Sequence, residues 1–125
     1  MKTTVDELLA LLDSGATIIN AGEHAGHAEI RGAVRYRPHD LLEAEHLALP
    51  IDREKPVVLY DSHGASDKLD ALADKFSSDG FTDVRTLDAS IRTWEDRKLP
   101  VQEPSFEQVV PPMRPAEVND LDRRL

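Results

Sequence analysis

One short polar loop carries the side chains best placed to do chemistry in this sequence. It lies between an apolar run at residues 57–60, which predicts a buried strand, and a segment whose apolar residues recur at helical spacing. In α/β proteins, backbone N–H groups and the positive end of the helix dipole converge on such a loop. The loop consists of Asp61, Ser62, His63, Gly64, Ala65 and Ser66. It is our candidate functional site.

The side chains of this loop permit three interpretations. Asp61, Ser62 and His63 are the residue types of a hydrolase triad, but triads are assembled from separate elements, and sequence neighbours rarely reach that geometry. Asp61 could also accept a phosphoryl group, although His63 stands where a second carboxylate is usual. The third interpretation is structural, with Ser62 and Ser66 capping the following helix. The structural interpretation is favoured over both catalytic ones.

Two further histidines raise the question of a metal site. His24 and His27 are three residues apart, so they share a face if their segment is helical. Two imidazoles on one face can bind Zn²⁺ or a similar ion. Histidines on a polar helix are more often ordinary surface residues. We therefore expect no metal and no cofactor, and keep metal binding as an alternative.

Length and composition fit one globular domain. The chain has 125 residues, of which 40% are hydrophobic and 31% charged, enough for one stable core. No apolar run approaches the roughly 18 residues that span a bilayer, and the N-terminus lacks the apolar core of a signal peptide. We expect a soluble, cytoplasmic protein with no role in a membrane.

Charge and cysteine content exclude several function classes. The net charge of −9 and the pI near 4.9 argue against nucleic acid and anionic membranes as partners, because both require a basic patch. The acidity by itself indicates only solubility. The chain has no cysteine, which excludes disulfides, thiolate metal sites and thiol nucleophiles.

Hydrophobic periodicity predicts helices and strands that alternate along the chain. Strands are expected at residues 17–20, 32–36, 57–60 and 84–87, with helices before, between and after them. Short connections between alternating elements predict a three-layer α/β/α domain with a central, mostly parallel sheet of about five strands. Thr4 and Glu7 form a capping-box pattern at the start of the first helix.

A proline-rich segment follows these elements. We place the domain at residues 1–102 and a C-terminal extension at residues 103–125. Val118, Leu121 and Leu125 could form the apolar edge of a short helix in this extension. The extension either lies on its own domain or reaches a partner, and the first interpretation is favoured.

Several motifs, in order, resemble those of rhodanese-like (sulfurtransferase) domains. The opening helix has the form V-x-E-L-x-x-L-L-x-x-G at residues 5–15, and a strand approach of the form G-F-x-x-V-x-x-L lies at residues 80–87. The closing I-x-x-W at residues 91–94 is followed by L-P-V at residues 99–101. The resemblance covers residues 5–101 and implies the rhodanese arrangement of the predicted α/β/α domain.

The sequence departs from this family at its functional positions. In active members, the loop after the central strand begins with a cysteine that accepts sulfur and usually carries arginines that attract an anionic donor. This chain has Asp61 at that position and no arginine in residues 61–66. Asn20 and Glu29 replace the family's upstream aspartate and histidine. A carboxylate cannot form a persulfide, because that chemistry needs a thiolate.

The resemblance and its departures imply a non-catalytic rhodanese-homology domain that binds a protein partner or serves as a regulatory module. We expect no thiosulfate sulfurtransferase activity. Two alternatives remain open. One is an enzyme with non-thiol, metal-assisted chemistry at His24, His27, His63 and Asp61, which the rhodanese fold would place on one side of the sheet. The other is an inactive subunit that supports a cysteine-bearing sulfurtransferase.

Overall fold

The protein, described here from a computed structural model, is a three-layer α/β/α domain, as the alternating pattern predicts. The structure describes residues 2–22, 28–61, 64, 66–108 and 110. The helices are α1 (Val5–Leu12), α2 (Pro38–Glu43), α3 (Asp67–Ser78) and α4 (Ile91–Asp96). The strands are β1 (Lys2–Thr3), β2 (Thr17–Asn20), β3 (Glu29–Ile30), β4 (Val34–Arg35), β5 (Val57–Tyr60), β6 (Val84–Leu87) and β7 (Val101–Gln102).

The central sheet has five parallel strands in the order β1-β6-β5-β2-β4. Four of them lie within the predicted strand segments. The fifth, β1, has two residues and lies outside the predicted strand segments. A separate two-stranded antiparallel sheet pairs β3 with β7, with Glu29 opposite Gln102. Parallel pairing brings the carboxyl ends of β2, β4 and β5 to the same edge of the central sheet.

Local chemistry explains where the helices begin. The Thr4 hydroxyl accepts a hydrogen bond from the Glu7 amide, and the Glu7 carboxylate accepts one from the Thr4 amide, which confirms the predicted capping box. The Ser66 hydroxyl accepts from the Leu69 amide at 3.2 Å and caps α3, also as predicted. The cap therefore fixes the residue at which the loop ends and α3 begins.

The core lies on both faces of the sheet. Val57 and Leu59 of β5 point to the face covered by α2 and α3, whereas Val58 and Tyr60 point to the face covered by α1 and α4. All four side chains of β5 are fully buried, which is expected for the middle strand of a parallel sheet. This strand fixes the position of Asp61, the next residue.

The chain continues along the domain after β7. Residues 103–108, which we call the strap, pass beside β3 and reach the outer edge of β4, where Glu107 forms a parallel bridge with Arg35. Val110 then packs against the core on the α2–α3 face. The division between a domain and an extension at residue 102 stays a prediction, and residues 111–125 lie outside the described part of the chain.

Among the described residues, no helix is both long and apolar enough to cross a bilayer.

Candidate functional site

Asp61 lies at the carboxyl end of the central strand. Its side chain is partly buried, and its carbonyl oxygen accepts a hydrogen bond from the Gly64 amide at 2.9 Å, which closes a tight turn. Gly64 has φ of 106°, a left-handed conformation that an L side chain rarely adopts. A short loop between β5 and α3 follows the central strand, as the sequence predicted.

Several of the predicted site residues lie outside the described part of the chain. They are Ser62, His63, Ala65, His24 and His27. The triad and the proposed metal ligands therefore remain predictions. Among the described residues, no group of three or more His, Asp or Glu side chains is arranged to hold a metal ion.

Tyr60 connects this loop to a buried polar cluster. Its side chain is fully buried, and its hydroxyl oxygen accepts a hydrogen bond from the Ile30 amide at 3.1 Å. Burial raises the pKa of Tyr60 well above its usual value, and the nearby carboxylates of Glu29 and Asp61 raise it further. The phenol therefore stays neutral and acts as a hydrogen-bonding group rather than as a base.

Glu29 is the centre of this cluster, and it is completely buried. One carboxylate oxygen accepts from Gln102 Nε2 at 2.6 Å and from the Ser105 amide at 2.8 Å. The other accepts from Asn20 Nδ2 at 3.1 Å. Burial alone would raise the pKa of Glu29, but the hydrogen bonds from Gln102, Ser105 and Asn20 outweigh it and hold the pKa below its usual range. Glu29 is therefore a charged carboxylate solvated by neutral amides.

Asn20 completes the link between the cluster and the sheet. It ends β2 directly opposite Tyr60 on β5, and its Oδ1 accepts from the Gly22 amide at 3.1 Å. Because Oδ1 is already an acceptor for Gly22, Nδ2 must be the group that faces Glu29, and the amide orientation follows from its partners. The sequence singled out Asn20 and Glu29 as separate departures. The structure shows that they contact each other.

A family model described as the rhodanese-like domain matches residues 4–97. The chain belongs to the rhodanese-like family. Among curated protein sequences, none matches it.

Solved structures of other proteins share the rhodanese-like fold. A full-length protein from Lactobacillus plantarum is 20% identical, with a TM-score of 0.68 over 82% of this chain and 87% of its own. The human single-domain sulfurtransferase TSTD1 is 21% identical, with a TM-score of 0.62 over 77% of this chain and 96% of its own. A protein from Anabaena is 16% identical, with a TM-score of 0.65 over 98% of this chain and all of its own. At these identities the likeness concerns the fold.

This rhodanese-like domain has no thiolate with which to accept sulfur, because the chain contains no cysteine. At the loop position after β5 it has a carboxylate, and near Tyr60 it has a second one, Glu29, that accepts three hydrogen bonds from described residues. The sequence reasoning missed the roles of Tyr60, Gln102 and Ser105. The antiparallel pairing of Glu29 with Gln102, 73 residues apart, brings Gln102 to the cluster, and the hydrogen bond from the Ile30 amide brings the Tyr60 hydroxyl.

Proposed function

We propose that this rhodanese-like domain is a non-catalytic, protein-binding module that uses the loop beginning at Asp61 for recognition. The observation that carries the proposal is the carboxylate at the loop position directly after the central strand, in a chain without cysteine. A carboxylate accepts hydrogen bonds well but cannot hold a sulfane sulfur. The loop can therefore present a fixed negative charge at the edge of the sheet.

The structure beneath the loop supports a binding role over a reactive one. Tyr60 is neutral, and Glu29 already accepts hydrogen bonds from three neutral amide groups of the described residues. Groups with satisfied hydrogen bonds and fixed positions support a rigid surface, which lowers the entropic cost of binding a partner. The partner and the regulatory role are parts of the proposal.

The first experiment is a thiosulfate:cyanide sulfurtransferase assay on the purified chain and on Asp61→Cys. We expect no turnover above background from the wild type. We expect little from Asp61→Cys, because residues 61–66 also lack an arginine to attract an anionic donor. Robust turnover by the cysteine-free wild type would disprove the non-catalytic role.

The second experiment compares proteins captured from native lysate by wild-type chain, Asp61→Ala and Asp88→Ala. Asp88 follows β6 as Asp61 follows β5, and it is exposed, so Asp88→Ala is a control with the same change of charge. We expect a stoichiometric partner that the wild type and Asp88→Ala retain and Asp61→Ala loses. A captured cysteine-bearing sulfurtransferase would favour the alternative of an inactive supporting subunit.

A further inference from the structure

The outer edge of β4 contacts an extended segment of the same chain, the strap. β4 is an edge strand of the central sheet, and on its outer side the described residues form one parallel bridge, between Arg35 and Glu107 of the strap. The Gln108 amide donates to the Arg35 carbonyl at 2.7 Å. An extended segment that adds to a sheet edge through backbone hydrogen bonds is a recurring mode of peptide recognition.

Arg35, which forms the bridge, and nearby Arg37 both face the carboxylate of Glu107. Arg35 Nη2 lies 3.3 Å from one oxygen, and Arg37 Nε lies 3.7 Å from the other. Well-formed bonds between a guanidinium and a carboxylate are about 2.7–2.9 Å long and often bidentate. Glu107 is thus a poor match for the two arginines that it contacts.

Arg35 shows where the match fails. The residue is only 8% exposed, and its Nε is buried without a hydrogen-bond partner among the described residues. Nε and Nη2 are neighbouring donors of one planar guanidinium fork, and a carboxylate that docks squarely uses both. The strap uses only Nη2. A buried donor left unused beside a charged acceptor is a cost that a better-placed carboxylate would remove.

The strap is held mainly by polar contacts. The Ser105 amide donates to Glu29, Glu107 faces the arginines, and the Phe106 side chain is 92% exposed. Val110 supplies the apolar contact that follows the strap. Segments with few buried apolar contacts open at low free-energy cost. Residues 106–108 can therefore leave the edge of β4 while the Ser105 amide stays bound to Glu29 and the rest of the domain stays folded.

We propose that the outer edge of β4, with Arg35 and Arg37, is a binding site for an extended acidic segment of a partner protein. The chain's own strap occupies this site as a competing intramolecular ligand. The strap shows which ligand the site accepts: an extended backbone that runs parallel to β4 and places a carboxylate opposite Arg35. This site is distinct from the loop at Asp61, and the proposal does not depend on that loop.

The test measures binding of a fluorescein-labelled peptide with the sequence of residues 104–110 to the full chain by fluorescence anisotropy. In Glu107→Arg, the strap is repelled by Arg35 and Arg37, so the site is free more of the time. The apparent affinity of a ligand scales with the fraction of competent protein, and we expect about tenfold tighter binding than to the wild type. Glu107→Gln removes the charge without reversing it and should bind the peptide about threefold more tightly than the wild type, as expected for a partly exposed ion pair.

Matched controls identify the cause. Glu103→Arg makes the same change of charge at an exposed strap position and should bind the peptide as the wild type does. In the Glu107→Arg background, Arg37→Ser should weaken binding again. Arg37 is more than half exposed, so this change leaves the fold intact. A peptide with glutamine in place of its glutamate should bind Glu107→Arg several times more weakly than the parent peptide.

Three results would overturn the proposal. The first is equal peptide affinity for wild type, Glu107→Arg and Glu107→Gln. The second is a peptide affinity of Glu107→Arg that does not change when Arg37→Ser is added or when the peptide carries glutamine in place of its glutamate. The third is a wild-type dimer in sedimentation experiments that the peptide dissociates, because the site would then belong to a second copy of the chain. Asp61→Ala should leave peptide binding unchanged, so failure here and failure of the proposed function are separable.

Discussion

Two largely buried carboxylates, Glu29 and Asp79, lie in different regions of the molecule and are stabilised in different ways. Glu29 lies at the carboxyl edge of the sheet and is surrounded by neutral amides. Asp79 follows α3, at the opposite end of that helix from the candidate loop. Its side chain is 12% exposed and pairs with Arg53 Nη2 at 3.2 Å, while the Leu47 amide donates to it at 2.7 Å.

The pKa values of both carboxyl groups are lowered, against the effect of burial. Burial raises the pKa of Asp79, but hydrogen bonds from the Leu47 amide, His46 and Arg53 outweigh it. At Glu29, hydrogen bonds alone outweigh burial. Within the described part of the chain, a fully buried carboxylate thus stays ionised without a facing cation, because each of its oxygens receives an N–H donor. We therefore expect the two sites to tolerate change unequally.

The largest effect is expected from Glu29→Gln. Its carbonyl oxygen can still accept from Gln102 and Ser105, but its NH₂ group must then face Asn20 Nδ2, donor against donor. We expect a loss of about 3 kcal/mol in the free energy of unfolding at neutral pH, measured by urea denaturation. Glu54→Gln, on an exposed turn, should change it by less than about 0.5 kcal/mol.

A compensating variant sharpens this prediction. In Asn20→Asp combined with Glu29→Gln, the new carboxylate can accept from the new amide, and the Gly22 amide keeps its acceptor. We expect the double variant to recover at least about 1 kcal/mol of the loss, because the mismatched pair of donors is removed. If the two substitutions destabilise additively, the contact between the side chains does not carry the effect.

A smaller effect is expected from Asp79→Asn. Water reaches this side chain, and both His46 and Arg53 are substantially exposed, so the unpaired groups can be rehydrated. We expect a loss of about 1.5 kcal/mol in the same denaturation experiment. A loss larger than that of Glu29→Gln would reverse the comparison and show that the facing cation matters more than complete burial.

The smallest expected effect is a difference between Glu29 and Asp79 in how their contributions to the unfolding free energy depend on pH. A carboxyl group with a lowered folded pKa adds stability above its unfolded pKa, and this stability is lost as pH falls through the folded value. The difference in unfolding free energy between wild type and Glu29→Gln should therefore shrink as pH falls below 4.5, the unperturbed value for Glu29. For Asp79→Asn it should shrink only below 3.8. Denaturation series from pH 7 to pH 3 will check the order.

The sequence by itself determined the α/β/α architecture, four of the five strands of the main sheet, the caps of α1 and α3, and the absence of a thiolate. These features depend on composition or on residues a few positions apart, where periodicity and capping chemistry leave a local pattern. The two-residue strands β1, β3 and β7 leave none.

Only the tertiary structure decided what surrounds Glu29 and Arg35. The donors to Glu29 come from positions 9, 73 and 76 residues away, and Glu107 reaches Arg35 from the far end of the described chain. The sequence marks Glu29 as a departure from the family but does not show which groups contact it, and it marks Arg35 only as an arginine in a short predicted strand. Their burial and their partners arise when β7 and the strap return to the sheet, because contacts between distant residues follow from packing rather than from local preference.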